Sequence, residues 1–269
     1  MSVMVMLLTG VTTVGWAQEW EIRVCAEPDS LPYSNKQGAG FENRIAEIVA
    51  QELGAKLLYV WLPQPHTRAR DLFIQEGRCE LIMGIPDGYS GFLTSLAYYR
   101  TSYVFVYREG EPYDIDSFDD PDLANLRIGI QISGGNMSPT SYALAKRGLI
   151  QNQLSFSPKL EEPNPLAGIV EAVTEKKVDV AVVWGPVAGY FARKQPTALT
   201  LVPVTPQIEA PFVPMVASIA MGVRVGDEAL RDELNVALAR RWNDIQTVLR
   251  EYGVPLEPMS APTLVPGAY

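Results

Sequence analysis

Two stretches of this sequence, Cys79–Ile85 (CELIMGI) and Val178–Trp184 (VDVAVVW), are apolar almost without a break. A strand with one wet face alternates polar and apolar residues; one that is apolar on both sides must be covered on both sides. Helices are the usual cover, so these two stretches point to a largely parallel sheet with helices on each face, the α/β class.

The rest of the chain supplies the alternation such a fold needs. Glu21–Ala26 (EIRVCA) and Ala55–Trp61 (AKLLYVW) read as strands. Between them Gly40–Leu53 places Phe41, Ile45, Ile48, Val49 and Leu53 near helical spacing, and Gly54 follows as a stop. His66–Gln75 reads as a short helix, and Ser102–Tyr107 (SYVFVY) as a strand. The segment 109–121, rich in Asp and Pro, suits a passage between lobes. The pattern then restarts: strand Leu126–Gln131, helix Ser138–Lys146, helix Pro163–Lys176, strand Val178–Trp184, helix Gly185–Lys194, strand Leu199–Val204. Thr205–Pro214, with prolines at 206, 211 and 214, reads as a second passage; Met215–Val223 is then a strand and Asp227–Trp242 an amphipathic helix. The expected organisation is lobe 1 from 18–107 and 215–269, lobe 2 from 108–214, and a ligand cleft between them.

Met1–Gly15 is apolar, and Gly15 and Ala17 flank Trp16 in the pattern of an export-signal cleavage site, so 1–17 is expected to be a secretory signal. No Lys or Arg precedes Arg23, so the start is expected upstream; the competing readings are a short anchor or a buried strand. No later stretch approaches the about 20 apolar residues that span a bilayer. The net charge of −9 repels phosphate backbones, which argues against a nucleic-acid partner. Two cysteines, Cys25 and Cys79, lack metal-ligand spacing; they are either one disulfide of an oxidising compartment or two buried thiols. Cys25 falls late in its strand and Cys79 early in its own, which weighs against the bond.

Several groups resemble a known family: Arg23–Pro28 (RVCAEP), Leu31–Asn35 (LPYSN), Gly40–Ala46 (GFENRIA), Gly77–Pro86 (GRCELIMGIP), Gly88–Tyr89 and Tyr98–Val106 (YYRTSYVFV). In this order they resemble the type II (family 3) solute-binding proteins of ABC transporters. They are most similar to the quinoprotein-dehydrogenase-associated members of the MxaJ/XoxJ type. The resemblance spans roughly residues 20–255 and is looser in the second lobe. It implies a periplasmic binding-protein-like II fold, the Venus flytrap, with two lobes joined by two crossover strands. It also implies a periplasmic location and a role in methanol oxidation, with the large subunit of a pyrroloquinoline-quinone-dependent methanol dehydrogenase as partner. No cofactor or metal is implied for the chain itself. The alternative is a transporter receptor for a small, weakly charged ligand.

The same resemblance frames the cleft. Amino-acid-binding relatives carry an Arg just after the third strand, whose fork grips a carboxylate; here the segment reads Pro86-Asp87-Gly88-Tyr89-Ser90, with Tyr89 in the Arg position. They also carry an Asp at the end of a second-lobe strand, where this chain has Trp184. The expected cleft is thus more aromatic than ionic, lined by Tyr33, Tyr89, Tyr98, Tyr99 and Trp184.

Other candidates carry two readings each. Glu27 and Asp29 follow the first strand and suit either a cation or partner contact, or the turn around Pro28 and Pro32. Gly134 and Asn136, in the Ser133–Asn136 turn before a helix, suit an anion or simply a tight turn. Tyr98, Tyr99 and Arg100 suit a contact surface or hinge packing. The block Asp114, Asp116, Asp119, Asp120 and Asp122 lacks the order of a calcium loop and reads as a solvated acidic passage able to face a basic partner. His66 is the only histidine, and no GxSxG, HExxH or CxxC accompanies it, so no catalytic residue is assigned. Periplasmic dehydratases of this fold use a cleft carboxylate; Glu27 or Glu42 would serve, but no second group is identifiable.

Overall fold

A computed structural model describes residues 20–62, 76–132, 138–158 and 164–263. The predicted helix at His66–Gln75 and the Ser133–Asn136 turn lie outside them.

Strands β1 (Glu21–Ala26), β4 (Lys56–Trp61) and β5 (Leu81–Pro86) form the parallel core of the first lobe, with β1 in the middle. Between β1 and β4 lie a two-residue hairpin, β2 (Asp29–Ser30) with β3 (Ser34–Asn35), and helix α1 (Phe41–Leu53). Helix α1 begins after Gly40, whose Asn43 side chain accepts from the Gly40 N–H, and it ends on left-handed Gly54. The glycine is the stop signal in the sequence, placed where φ must turn positive, while the reach-back from the third helical residue is seen only in the fold. Short β6 (Leu93–Thr94) edges the same sheet, and β7 (Tyr99–Arg108) leaves it.

The second lobe contains β8 (Ile128–Gln131), α2 (Pro139–Lys146), β9 (Gln153–Phe156), α3 (Gly168–Thr174), β10 (Val180–Trp184), α4 (Gly185–Ala192) and β11 (Leu199–Pro203). A hairpin of β12 (Ile208–Glu209) and β13 (Val213–Pro214) follows. Strand β14 (Val216–Val223), α5 (Glu228–Arg240) and α6 (Trp242–Glu251) return to the first lobe. The main sheet has ten strands and runs β4-β1-β5-β14-β7-β10-β8-β9, with β11 on β7 and β6 on β14.

The change of lobe occurs inside β7. Its Tyr99–Ser102 half pairs with β14, and from Tyr103 onward it pairs with β10 and β11. The acidic stretch expected to make this passage instead folds onto the second lobe: Ile115, Phe118 and Leu123 are fully buried there, in one cluster with Phe105 and Ile128. An aspartate-rich segment reads as a linker by composition, but three apolar side chains at suitable spacing are enough to pin it down. On the return, Met215 still packs in the second lobe and β14 joins the first.

The cores follow the strand pattern. One cluster lies between the first-lobe sheet and α1, α5 and α6, with Phe41, Ile45, Val49, Leu234 and Ile245 at 0% exposure. Two more cover the two faces of the second-lobe sheet, as the double-sided apolar runs require. Cys25 and Cys79 are joined in a disulfide, with Cα atoms 5.7 Å apart, in a small satellite cluster with Ile82, Ile85 and Phe92. The expected offset between them does not arise because Cys79 stands ahead of β5, before a bend at Glu80, rather than within the strand.

The chain after α6 does not trail away. Gly189 of α4 lies so close to this segment that a Cβ there would sit 1.8 Å from the Gly253 carbonyl oxygen. The Thr101 hydroxyl donates to the Pro255 carbonyl at 2.6 Å, and the Glu257 N–H donates to the Arg100 carbonyl at 2.8 Å. The Glu257 carboxylate accepts from Ser102 at 2.7 Å and from the Gln207 amide at 3.2 Å, touching both lobe passages at once.

Candidate functional site

The strands of each lobe end at a shared cleft of about 800 Å³. Ligands in open α/β sheets bind at such strand ends because the helix-bound loops there leave space and unpaired backbone groups. The first lobe contributes Glu27, Asp29, Tyr33, Glu42, Met83 and Tyr99; the second contributes Tyr103, Gln131, Leu166, Trp184, Val187 and Pro214.

The walls are unequal. Trp184 and Tyr103 face each other in register across β10 and β7, and their rings meet edge to face at 5.0 Å between centroids. With Pro139, Pro158, Pro165 and Leu166 they make the second-lobe wall aromatic and aliphatic, with no carboxylate among the described residues. The first-lobe wall carries three carboxylates, Glu27, Asp29 and Glu42. The expectation of a cleft more aromatic than ionic therefore holds for one wall only.

Local turns explain how the acidic wall is set. The Ser34 hydroxyl donates to the Glu27 carbonyl at 2.8 Å and accepts the Glu27 N–H at 3.2 Å, closing the turn that holds Asp29 and Tyr33 at the rim. Glu27 and Asp29 thus belong to this turn and also line the cleft. Glu42 sits in the first turn of α1, where the helix dipole favours an anion. Its carboxylate packs over Gly84, which has φ +69, and a Cβ at Gly84 would sit 2.1 Å from Oε1.

Tyr33, Tyr99 and Trp184 line the cleft. Tyr98 does not. It is fully buried beneath the wall, where its hydroxyl accepts the Gly84 N–H at 3.2 Å. Tyr98 precedes β7, in the connection between β6 and β7, while Tyr99 is the first residue of the strand. Tyr89 is also outside the lining; it is 41% exposed and its ring leans on Phe92. The Arg position of amino-acid receptors is thus left without an aromatic replacement in the cleft. Gly134, Asn136 and His66 lie outside the described residues. Burial pushes the hydroxyls of Tyr33, Tyr98 and Tyr99 well above the ordinary tyrosine value, and the charge of Glu42 adds to this. They therefore stay neutral donors and acceptors at any working pH.

Two lining residues escape sequence reading. Tyr103 becomes visible only once the β7–β10 register is known. Gln131 ends β8 and lines the cleft, and its Oε1 is buried without a hydrogen-bond partner among the described residues. Among the described residues no group of three or more His, Cys, Asp or Glu is placed to hold a metal ion, and no helix is long and apolar enough to cross a membrane.

No family model matches the sequence. The chain is similar to Protein MoxJ of Methylorubrum extorquens, 32% identical over 255 residues covering 89% of this chain and 82% of that one. Among solved structures it is similar to the periplasmic binding protein XoxJ of Methylobacterium extorquens AM1, with 37% identity, a TM-score of 0.73, and coverage of 88% of this chain and 100% of the other. It is also similar to MxaJ of Methlophaga aminisulfidivorans MPT, with 26% identity, a TM-score of 0.79, and coverage of 88% and 100%. Structures below 25% identity, ancestral amino-acid-binding proteins among them, show the fold alone. The two-lobed architecture is thus that of the periplasmic binding proteins, and the chain belongs to the MoxJ family.

Proposed function

We propose that this protein is a periplasmic accessory factor that binds the large subunit of a pyrroloquinoline-quinone-dependent methanol dehydrogenase and assists its assembly or activation. It acts by binding and not by catalysis. The observation that carries this reading is the second-lobe wall. Trp184, Tyr103, Leu166 and four prolines, Pro139, Pro158, Pro165 and Pro214, form a broad apolar face rather than a clamp for a zwitterion. Such a face suits a segment of polypeptide, whose side chains supply apolar area and whose N–H groups can meet Gln131 and the first-lobe carboxylates. Kinship with MoxJ and with XoxJ, a periplasmic binding protein, supports the location and the partner class. The Cys25–Cys79 disulfide fits an oxidising compartment.

The test is size-exclusion chromatography with light scattering. The mature protein is mixed with a purified methanol dehydrogenase large subunit, with and without its quinone. A co-eluting complex is the expected result, stronger with the quinone-free form. Absence of a complex with either form, together with tight binding of a free amino acid, would replace this reading with that of a transporter receptor.

A further inference from the structure

The hairpin at residues 205–214 carries an apolar knob that nothing in the fold uses. Ile208 is 61% exposed and Phe212 is 88% exposed, and Ala210, Pro211 and Pro214 are exposed beside them. A lone exposed aliphatic residue needs no explanation, but a phenylalanine almost wholly in water at the tip of an apolar cluster does.

The knob is held firmly from below. Glu209, 3% exposed, turns inward while its neighbours turn outward. Its carboxylate accepts from Lys146 Nζ and from Arg147 Nη1, each at 2.7 Å. The Ala210 carbonyl accepts from Lys146 at 3.2 Å and from the Tyr142 hydroxyl at 3.3 Å. Arg147 is also bound to Asp119. A buried ion pair adds little net stability but fixes one geometry, because any other arrangement strands a charge. The tip is therefore presented rigidly, and little ordering entropy remains to be lost on contact.

The charge around it is one-sided. At the hairpin base the Thr205 N–H and hydroxyl both donate to the Asp116 carbonyl, which ties the knob to the acidic stretch. Asp114, Asp116 and Asp122 are exposed there and make no ion pair among the described residues, whereas Lys146 and Arg147 are engaged by Glu209. Pro214, at the other end of the hairpin, lines the cleft, so knob, acidic flank and cleft mouth are contiguous.

We infer that this hairpin is a docking knob: Phe212 and Ile208 enter an apolar pocket on the partner protein that is rimmed by Lys and Arg, and Asp116 and Asp122 meet that rim. The inference rests on the reading of the partner as a dehydrogenase large subunit, and adds a second point of attachment outside the cleft. An aromatic side chain seated in a desolvated pocket is the usual hot spot, whereas rim charges chiefly set encounter rate and salt dependence.

The test measures binding of the full chain to the large subunit, with and without quinone, for wild type, Phe212→Ser and the double variant Asp116→Lys/Asp122→Lys. Phe212 makes no core contact, so unchanged melting temperatures are expected and show that the variants fold. Phe212→Ser is expected to weaken binding by on the order of 10- to 100-fold. The charge variant is expected to slow association at low salt and to approach wild type at high salt. If Phe212→Ser binds within about twofold of wild type, the knob is not the dock. If wild type itself binds neither form of the subunit, the dehydrogenase reading falls and the dock with it.

Discussion

At the scale of single residues, two bonds can be broken and read out. The Cys25–Cys79 disulfide closes a loop with a sequence separation of 54. Restricting the unfolded chain over such a loop is worth up to about 4 kcal/mol. The variant Cys25→Ser/Cys79→Ser is expected to lose about 2–4 kcal/mol in urea unfolding, and reductant is expected to bring wild type to the same value. Glu209 offers a titration test. Burial pushes its carboxyl upward, but the hydrogen bonds and charges of Lys146 and Arg147 outweigh this and hold it below the ordinary 4.5. A depressed carboxylate stabilises the fold above its unfolded value, and this stability is lost as pH falls through the lower folded value. Unfolding free energy should therefore drop on acidification below about pH 4.5, and Glu209→Gln should flatten that slope while costing about 1–3 kcal/mol at neutral pH. Equal slopes in both proteins would assign the acid sensitivity to other pairs, such as Asp179 with Arg127.

At the scale of elements, most of the fold was legible because burial on both faces leaves a plain record in the sequence. The strands at 21–26, 56–61 and 81–86, and those at 180–184 and 216–223, lie where the apolar runs are. What escaped has physical reasons. Strand β9 carries Leu154 at 39% exposure on a sheet edge, so it lacks the apolar run that marks a buried strand. Helix α6 follows α5 with a single residue between them, and one amphipathic pattern runs into the next. In the cleft, Tyr33, Tyr99 and Trp184 could be named, but Tyr98 and Tyr89 lie in the connections between strands, and without the path of those connections they could not be sorted from Tyr99. The close packing of α4 gives a further test. Alanine at Gly189 would force its Cβ against the Gly253 carbonyl, 1.8 Å away. Gly189→Ala is expected to cost about 1–3 kcal/mol, as overpacking does. It should also speed amide exchange at residues 253–257 while leaving β1 protected; protection at 253–257 equal to wild type would show that the helix shifts instead.

At the scale of the whole molecule, the two lobes are usually pictured as joined by two passages of chain, here β7 and the run from the hairpin into β14. Glu257 ties the two together, since it holds Ser102 in one passage and Gln207 beside the other. The frame of the cleft is thus braced partly from outside it, by a C-terminal stretch that lines neither wall.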